Sequence, residues 1–164
     1  MMGKASKIKG HWIVLAFALL MVFFLANEGE SAEIEVGPTF LSGDYAEGGI
    51  ILLSERVGVW SFAGGYVSEQ FVNTCGWGGK CFDNDLQENI FFQVQRVIEY
   101  KRYEIGIGPA YFQSTNRALG TSLVWAVSLG YGGDHWSIRF RHYSNAGSGT
   151  PNLGQDALTI GYAF

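Results

Sequence analysis

The chain has 164 residues, of which 16% are charged and 15% aromatic. This length is typical of a single domain, and a soluble domain usually carries charge on about a quarter of its residues. The formal net charge of −4 argues against nucleic-acid binding, because phosphate contacts need clustered Lys and Arg.

The N-terminus predicts a signal peptide. Three lysines precede an unbroken apolar run from Trp12 to Ala26, and small residues follow up to Ala32. The run is shorter than the roughly 20 residues that a membrane-spanning helix needs, and this arrangement is typical of export signals. We therefore predict a signal peptide over residues 1–32, with the cleavage site open by a residue, and a mature domain over residues 33–164. An uncleaved anchor is the alternative.

The rest of the chain is apolar without a second long apolar run, which indicates alternation along β-strands. The pattern is clearest after Thr121, where Leu123 and Trp125 share one face and small residues occupy the other. Successive side chains of a strand point to opposite sides. The predicted strands are residues 33–41, 48–54, 57–68, 89–100, 104–112, 121–131, 135–144 and 156–164.

The links between these strands alternate in length. Outer-membrane barrels have short periplasmic turns and longer external loops. The short links are 55–56, 101–102 and 132–134; the long ones are 70–87, 113–120 and 145–155, while 43–47 is short for an external loop. The sequence therefore predicts an all-β, eight-stranded antiparallel transmembrane barrel in the bacterial outer membrane. The alternative, a soluble lipocalin-like or avidin-like barrel, would carry its apolar residues inside.

Two features are left open by the pattern. In the strand 89–100, Phe91, Arg96 and Val97 break the alternation of apolar and polar residues, so their facing is ambiguous. Cys75 and Cys81 lie close together in a link rich in Gly, Asn and Asp. A disulfide that closes this link is a plausible reading for an exported chain.

The last two strands carry polar residues on faces that are otherwise apolar. His142 and Ser144 continue the outward set of the seventh strand, and Asp156 begins the outward set of the eighth. A hairpin centred near Gly149 would place His142 opposite Asp156. Serine needs a base to become a nucleophile, histidine titrates near neutrality, and an acid orients the histidine. The alternative is an interfacial His and Ser wetted by lipid headgroups, with Asp156 in a turn.

The stretch from His142 to Gly147, followed by Pro151, Asn152 and Asp156, resembles the PagL family of lipid A 3-O-deacylases. The resemblance implies an eight-stranded outer-membrane barrel with a lipid-facing site. It also implies that Ser144 is the nucleophile, His142 the base and Asp156 the acid. Asn145 and the Gly147 amide would be the oxyanion donors. Asn152 matches a motif position without a defined role. The family leads us to expect Glu at the position of Asp156.

The resemblance further implies hydrolysis of the ester-linked 3-hydroxyacyl chain at position 3 of lipid A, through an acyl-serine. Lipid A or lipopolysaccharide would be the substrate, and no metal or organic cofactor is implied. The oligomeric state stays open. Two other functions are compatible with the pattern: a structural or adhesive barrel without catalysis, and a different outer-membrane lipid acyl hydrolase or acyltransferase.

Overall fold

Eight strands close into one antiparallel barrel, as the alternation predicts. The computed structural model describes residues 32–41, 44–69, 73–75, 81–83, 87–115, 119–147 and 154–164. The strands are β1 (Ala32–Leu41), β2 (Asp44–Val57), β3 (Trp60–Val67), β4 (Asn73–Cys75), β5 (Cys81–Asp83), β6 (Asn89–Tyr100), β7 (Tyr103–Phe112), β8 (Leu123–Gly132), β9 (Trp136–Ser144) and β10 (Gln155–Ala163). Around the barrel their order is β1-β10-β9-β8-β7-β6-β3-β2.

Within the described residues, no helix is long and apolar enough to cross a membrane. Residues 1–31 lie outside the description, so the predicted signal peptide stays a prediction.

Two predicted links are wrong. Glu55 and Arg56 were expected to form a turn, but both lie in β2, paired with Phe62 and Ser61 of β3. The turn falls at residues 58–59, where Gly58 has a φ of 58°, a conformation that glycine adopts at little cost. The short link at 43–47 is also shorter than predicted, because β2 begins at Asp44 and pairs with Leu41.

Strands β4 and β5 form a separate two-stranded sheet that was not predicted as strands. This sheet lies in the long link between β3 and β6. Cys75 and Cys81 are directly opposite in its register, a backbone placement compatible with the disulfide, which stays a prediction.

The barrel wall is apolar outside and largely polar inside. On β8, Leu123, Trp125 and Leu129 are 62%, 52% and 52% exposed, whereas Ser128 is 3% exposed and faces the lumen. This distribution is the reverse of a soluble barrel and is typical of a wall in contact with lipid. The long links lie at one end, which we call the external end. The opposite, periplasmic end carries the short turns and the strand ends Ala32 and Ala163.

An aromatic plug fills the lumen near the external end. Phe91 stacks on Phe112 with ring centroids 4.9 Å apart, and Tyr143 meets both rings edge-on at 5.5 and 5.4 Å. Gly65 lies opposite Phe91 in the register. A Cβ at Gly65 would come within 2.6 Å of the Phe91 ring, so glycine there makes room for the plug. Phe91 and Val97, ambiguous in the sequence, both face inward and are buried.

An ion-pair layer fills the lumen on the periplasmic side of the plug. Arg141 holds Glu35 through two guanidinium nitrogens, with Nε 3.1 Å from Oε2. Arg139 contacts Glu33 at 2.6 Å and also binds Glu104. Both arginines therefore face the lumen, as their positions in the alternation predict. Charges of both signs satisfy one another here, which is how buried ionised groups are tolerated.

Candidate active site

The hairpin of β9 and β10 brings the predicted acid to the predicted base. His142 and Asp156 are directly opposite in the register, as the centre near Gly149 predicts. Buried residues alternate with more exposed ones along both strands, and His142 and Asp156 both fall in the outward set. They lie near the external ends of their strands, where a polar side chain on a lipid-facing wall costs least.

His142 and Asp156 form a close hydrogen bond. The His142 Nδ1 atom lies 2.6 Å from Asp156 Oδ1. Since a carboxylate accepts, this contact assigns the proton to Nδ1 and leaves Nε2 able to receive one. The side chains of His142 and Asp156 are 38% and 16% exposed, so the acid is the more sheltered partner. The shorter Asp side chain therefore reaches the imidazole directly.

Ser144 shares the outward face of β9 with His142, two residues further along. Successive residues on one face of a strand are about 6.6–6.8 Å apart, within which two side chains can approach each other. Ser144 lies opposite Trp125 of β8, and its Oγ accepts a hydrogen bond of 3.2 Å from the backbone N–H of Ala146. The nucleophile candidate therefore already has a main-chain donor beside its oxygen.

The turn after Ser144 is held by its own side chains. Ala146 and Gly147 have φ values of 52° and 81°, and a positive φ is uncommon for alanine. The Gly147 N–H donates to Asn145 Oδ1 at 2.9 Å, and Asn145 Nδ2 donates to the carbonyl of Leu119 at 2.8 Å. Asn145 is 2% exposed. Of the two predicted oxyanion donors, Asn145 follows Ser144 directly and Gly147 is three residues on, and both already take part in the bonds that shape this turn.

The Ala146 amide was missed by the sequence analysis. Its N–H points at Ser144 Oγ because the chain turns left-handed directly after the strand. A backbone donor leaves no side-chain signature. The only available signal was the Gly at position 147, which permits a positive φ after a strand end.

A cavity of about 380 Å³ lies beside this turn. Outward apolar residues of β7 and β8 line one side and the turn lines the other. Its lining residues are Pro109, Leu123, Val124, Trp125, Asn145, Ala146 and Gly147. Since Trp125 is also the partner of Ser144 in the register, the cavity opens next to the nucleophile candidate. The alternation along β8 predicts an outward Trp125 but gives no sign of this cavity.

Tyr143 fixes the strand between the two catalytic candidates from the inside. It is 1% exposed, packs in the aromatic plug, and donates through its hydroxyl to Gln93 Oε1 at 3.1 Å. His142 and Ser144 thus project outward from a segment whose inward side chain is fully packed. Such anchoring is what a preorganised site requires.

Asn152, which matches a motif position in the sequence, lies outside the described residues. Among the residues that are described, no group of three or more His, Cys, Asp or Glu side chains could hold a metal ion.

Comparisons with known proteins give one family. A family model described as lipid A 3-O-deacylase (PagL) matches residues 74–164, which is more than half of the chain. Among solved structures, the chain is similar to the outer membrane enzyme PagL, with a TM-score of 0.48 and 19% identity over 82% of this chain and 98% of that one. No curated protein matches the sequence.

Proposed function

Because this chain belongs to the lipid A 3-O-deacylase (PagL) family, we propose that it hydrolyses the ester of the 3-hydroxyacyl chain at position 3 of lipid A, with Ser144 as nucleophile. The observation that carries the proposal is the 2.6 Å contact between His142 and Asp156 on the lipid-facing wall, with Ser144 on the same face. A polar relay on a wall that meets lipid is costly without a role there. A lipid substrate supplies that role.

In the proposed reaction, His142 Nε2 takes the proton of Ser144 Oγ as that oxygen attacks the ester carbonyl carbon. The imidazolium then gives this proton to the departing sugar oxygen, leaving an acyl-serine. Water, deprotonated by the same imidazole, attacks the acyl-serine, and the imidazolium returns this proton to Ser144 Oγ as the 3-hydroxy fatty acid leaves. Throughout, the Asp156 carboxylate accepts a hydrogen bond from His142 Nδ1–H and stabilises the imidazolium.

Negative charge develops on the carbonyl oxygen of the ester in both steps, and its stabilisation needs hydrogen-bond donors that are in place before the reaction. The Ala146 N–H donates to Ser144 Oγ over 3.2 Å and so lies close to the attacking oxygen; in our proposal it turns to the oxyanion once the ester is bound. The Asn145 amide and the Gly147 N–H lie one step further along the turn and would add to it by exchanging their present partners. We therefore propose the Ala146 N–H as a third donor beside Asn145 and Gly147, with Asn145 also fixing the turn that presents it.

The location of the relay fits a substrate that is already in the membrane. The relay lies near the external ends of β9 and β10, so we place it at the outer leaflet of the outer membrane. The ester can then reach Ser144 sideways through the bilayer. We place the scissile acyl chain in the cavity beside Trp125.

Replacing Trp125 by Ala should weaken the selection of acyl chains. The cavity loses a wall, so kcat/KM for the preferred chain should fall by about tenfold, and shorter and longer chains should be cleaved more equally. Deacylation of lipid A with defined acyl chains, measured in mixed micelles, tests this. The matched control is Trp136→Ala, which removes an outward tryptophan at the periplasmic start of β9, away from the cavity. Equal losses in both variants would contradict a role for the cavity.

The test of the function is mass spectrometry of lipid A from cells that express the wild type or Ser144→Ala. The wild type should remove one 3-hydroxyacyl chain, and the variant should lose activity by about 10⁶-fold, to an undetectable level. Ser114→Ala, a hydroxyl removed from an exposed residue near the same end of the barrel, should behave as the wild type. Folding is checked by the heat-dependent shift of the barrel on electrophoresis.

Unchanged lipid A with a folded wild-type barrel would refute the deacylase. Release of fatty acid from phospholipid in the same membranes would then indicate a phospholipase. Full activity of Ser144→Ala would refute the nucleophile alone.

A further inference from the structure

One arginine lies on the outer wall of the barrel. Arg96 belongs to β6, whose burial pattern places Gln95 and Val97 in the lumen and leaves Arg96 exposed. Its facing, ambiguous in the sequence, is therefore outward. Among the outward-facing strand residues that the structure describes, Arg96 is the only Lys or Arg. The other described strand arginines, Arg56, Arg139 and Arg141, bind glutamates at the periplasmic mouth of the lumen or within it.

Arg96 lies towards the periplasmic end. It is opposite Trp60, the first residue of β3 after the tight turn at 58–59, and on its other side it is opposite Ile107. Trp60 is 46% exposed, and outward Tyr100, at the end of β6, is 70% exposed. Aromatic residues of this kind mark the interface between hydrocarbon and headgroups. Arg96 is thus within reach of the headgroups of the periplasmic leaflet.

The guanidinium of Arg96 has no hydrogen-bond or ion-pair partner within the part of the chain that the structure describes. A charged group facing lipid is destabilising in proportion to its depth. A long arginine stem can follow the apolar wall and bring its charge to the interface. The donors of Arg96 therefore need a partner that the membrane itself supplies.

We propose that Arg96 and Trp60 form a binding site for the phosphodiester of a glycerophospholipid in the periplasmic leaflet. A guanidinium binds phosphate through two parallel N–H donors, and the indole packs along the glycerol and the first methylenes of the acyl chains. A headgroup without an amine binds best, because no internal cation competes for the phosphate. The site is separated from β9 by β7 and β8 and does not depend on the proposed hydrolysis.

Trp60 provides a reporter for this site. The full chain is reconstituted into phosphatidylcholine vesicles that contain either brominated phosphatidylglycerol or brominated phosphatidylcholine, which quench tryptophan on contact. The Trp60 signal is the difference between each protein and its Trp60→Phe form, since the sequence has five tryptophans. Brominated phosphatidylglycerol should quench Trp60 about twofold or more strongly than brominated phosphatidylcholine.

In Arg96→Gln the two lipids should quench Trp60 equally, whereas Arg96→Lys should keep part of the difference. The matched control is Arg102→Gln, which removes an exposed arginine from the turn after β6 and should keep all of it. Folding of each variant is checked by the electrophoretic heat shift.

Three results would overturn the proposal. Equal quenching by both lipids in the wild type would exclude a preferred phosphate site. Equal losses in Arg96→Gln and Arg102→Gln would indicate attraction by overall charge. A preference that is absent at high protein density and appears only when the protein is diluted in lipid would identify a carboxylate of a second barrel, instead of lipid phosphate, as the partner of Arg96 in the undiluted membrane.

Discussion

Replacing Asp156 by Asn is expected to lower the deacylation rate by about 10⁴-fold. Asparagine fills the same space but can present its amide to His142 Nδ1, which favours the tautomer with the proton on Nε2. That nitrogen can then no longer take the proton of Ser144. The imidazolium also loses the carboxylate that now lies 2.6 Å away. The rate is measured from release of 3-hydroxy fatty acid by the purified, folded protein.

Asp156→Glu is the informative partner of this variant, because the family leads us to expect Glu at this position. A carboxylate is kept, so the rate should stay within about tenfold of the wild type. Full activity in Asp156→Asn would contradict the role of Asp156. Equal inactivity in Asp156→Asn and Asp156→Glu would indicate that the rate depends on the geometry of the hairpin more than on the charge at this position.

Replacing Glu35 by Ala is expected to lower the free energy of unfolding by about 3–5 kcal/mol, because it leaves Arg141 buried without a carboxylate. Glu35 is 0% and Arg141 3% exposed, so water cannot readily replace the lost partner. Glu35 also accepts from Thr159 Oγ1 at 2.7 Å. It therefore joins β1 to both strands of the β9–β10 hairpin. Urea unfolding in lipid vesicles measures the change.

The matched control is Glu99→Ala. Glu99 also binds an arginine, Arg56, but its side chain is 59% exposed, and exposed pairs contribute about 0–1 kcal/mol. The double variant Glu35→Ala with Arg141→Met removes both charges and should recover most of the stability. If Glu35→Ala and Glu99→Ala lower the free energy of unfolding equally, water in the lumen screens its ion pairs and the prediction is wrong.

The fold was predictable wherever alternation of residue types reports the facing of a strand. The outward set of β8 follows from a period of two, the strand count from that period together with the link lengths, and the register of His142 with Asp156 from a hairpin centred near Gly149. The alternation failed in β6 for a definite reason. Phe91 is apolar yet faces a polar lumen, because Gly65 on the next strand leaves space for its ring. Such cross-strand complementarity depends on pairing that a single sequence does not display.

The arrangement of the candidate site could be predicted where it depends on side chains and could not where it depends on the backbone. His142, Ser144 and Asp156 were recognisable as polar residues on an apolar face. The Ala146 donor and the cavity beside Trp125 arise from a left-handed turn and from the packing of three strands. The turn predicted at Glu55 and Arg56 is wrong because it, too, depends on contacts between strands. Two adjacent charged residues suggested a loop, whereas Arg56 forms ion pairs with Glu99 and Glu104 at the mouth of the lumen.

The alternation along β9 also makes the hairpin of β9 and β10 intolerant of a change in length. Arg139, Arg141 and Tyr143 face inward while His142 and Ser144 face outward, so a shift of the strand by one residue exchanges the two sets. It would turn two arginines into the hydrocarbon and bury the imidazole in the plug. The ion pairs of Arg139 and Arg141 with Glu35 thus fix the strand register that the proposed reaction needs, although these residues take no part in it. Point substitutions in β9 should lower activity by differing amounts. The insertion or deletion of a single residue in β9 should abolish it.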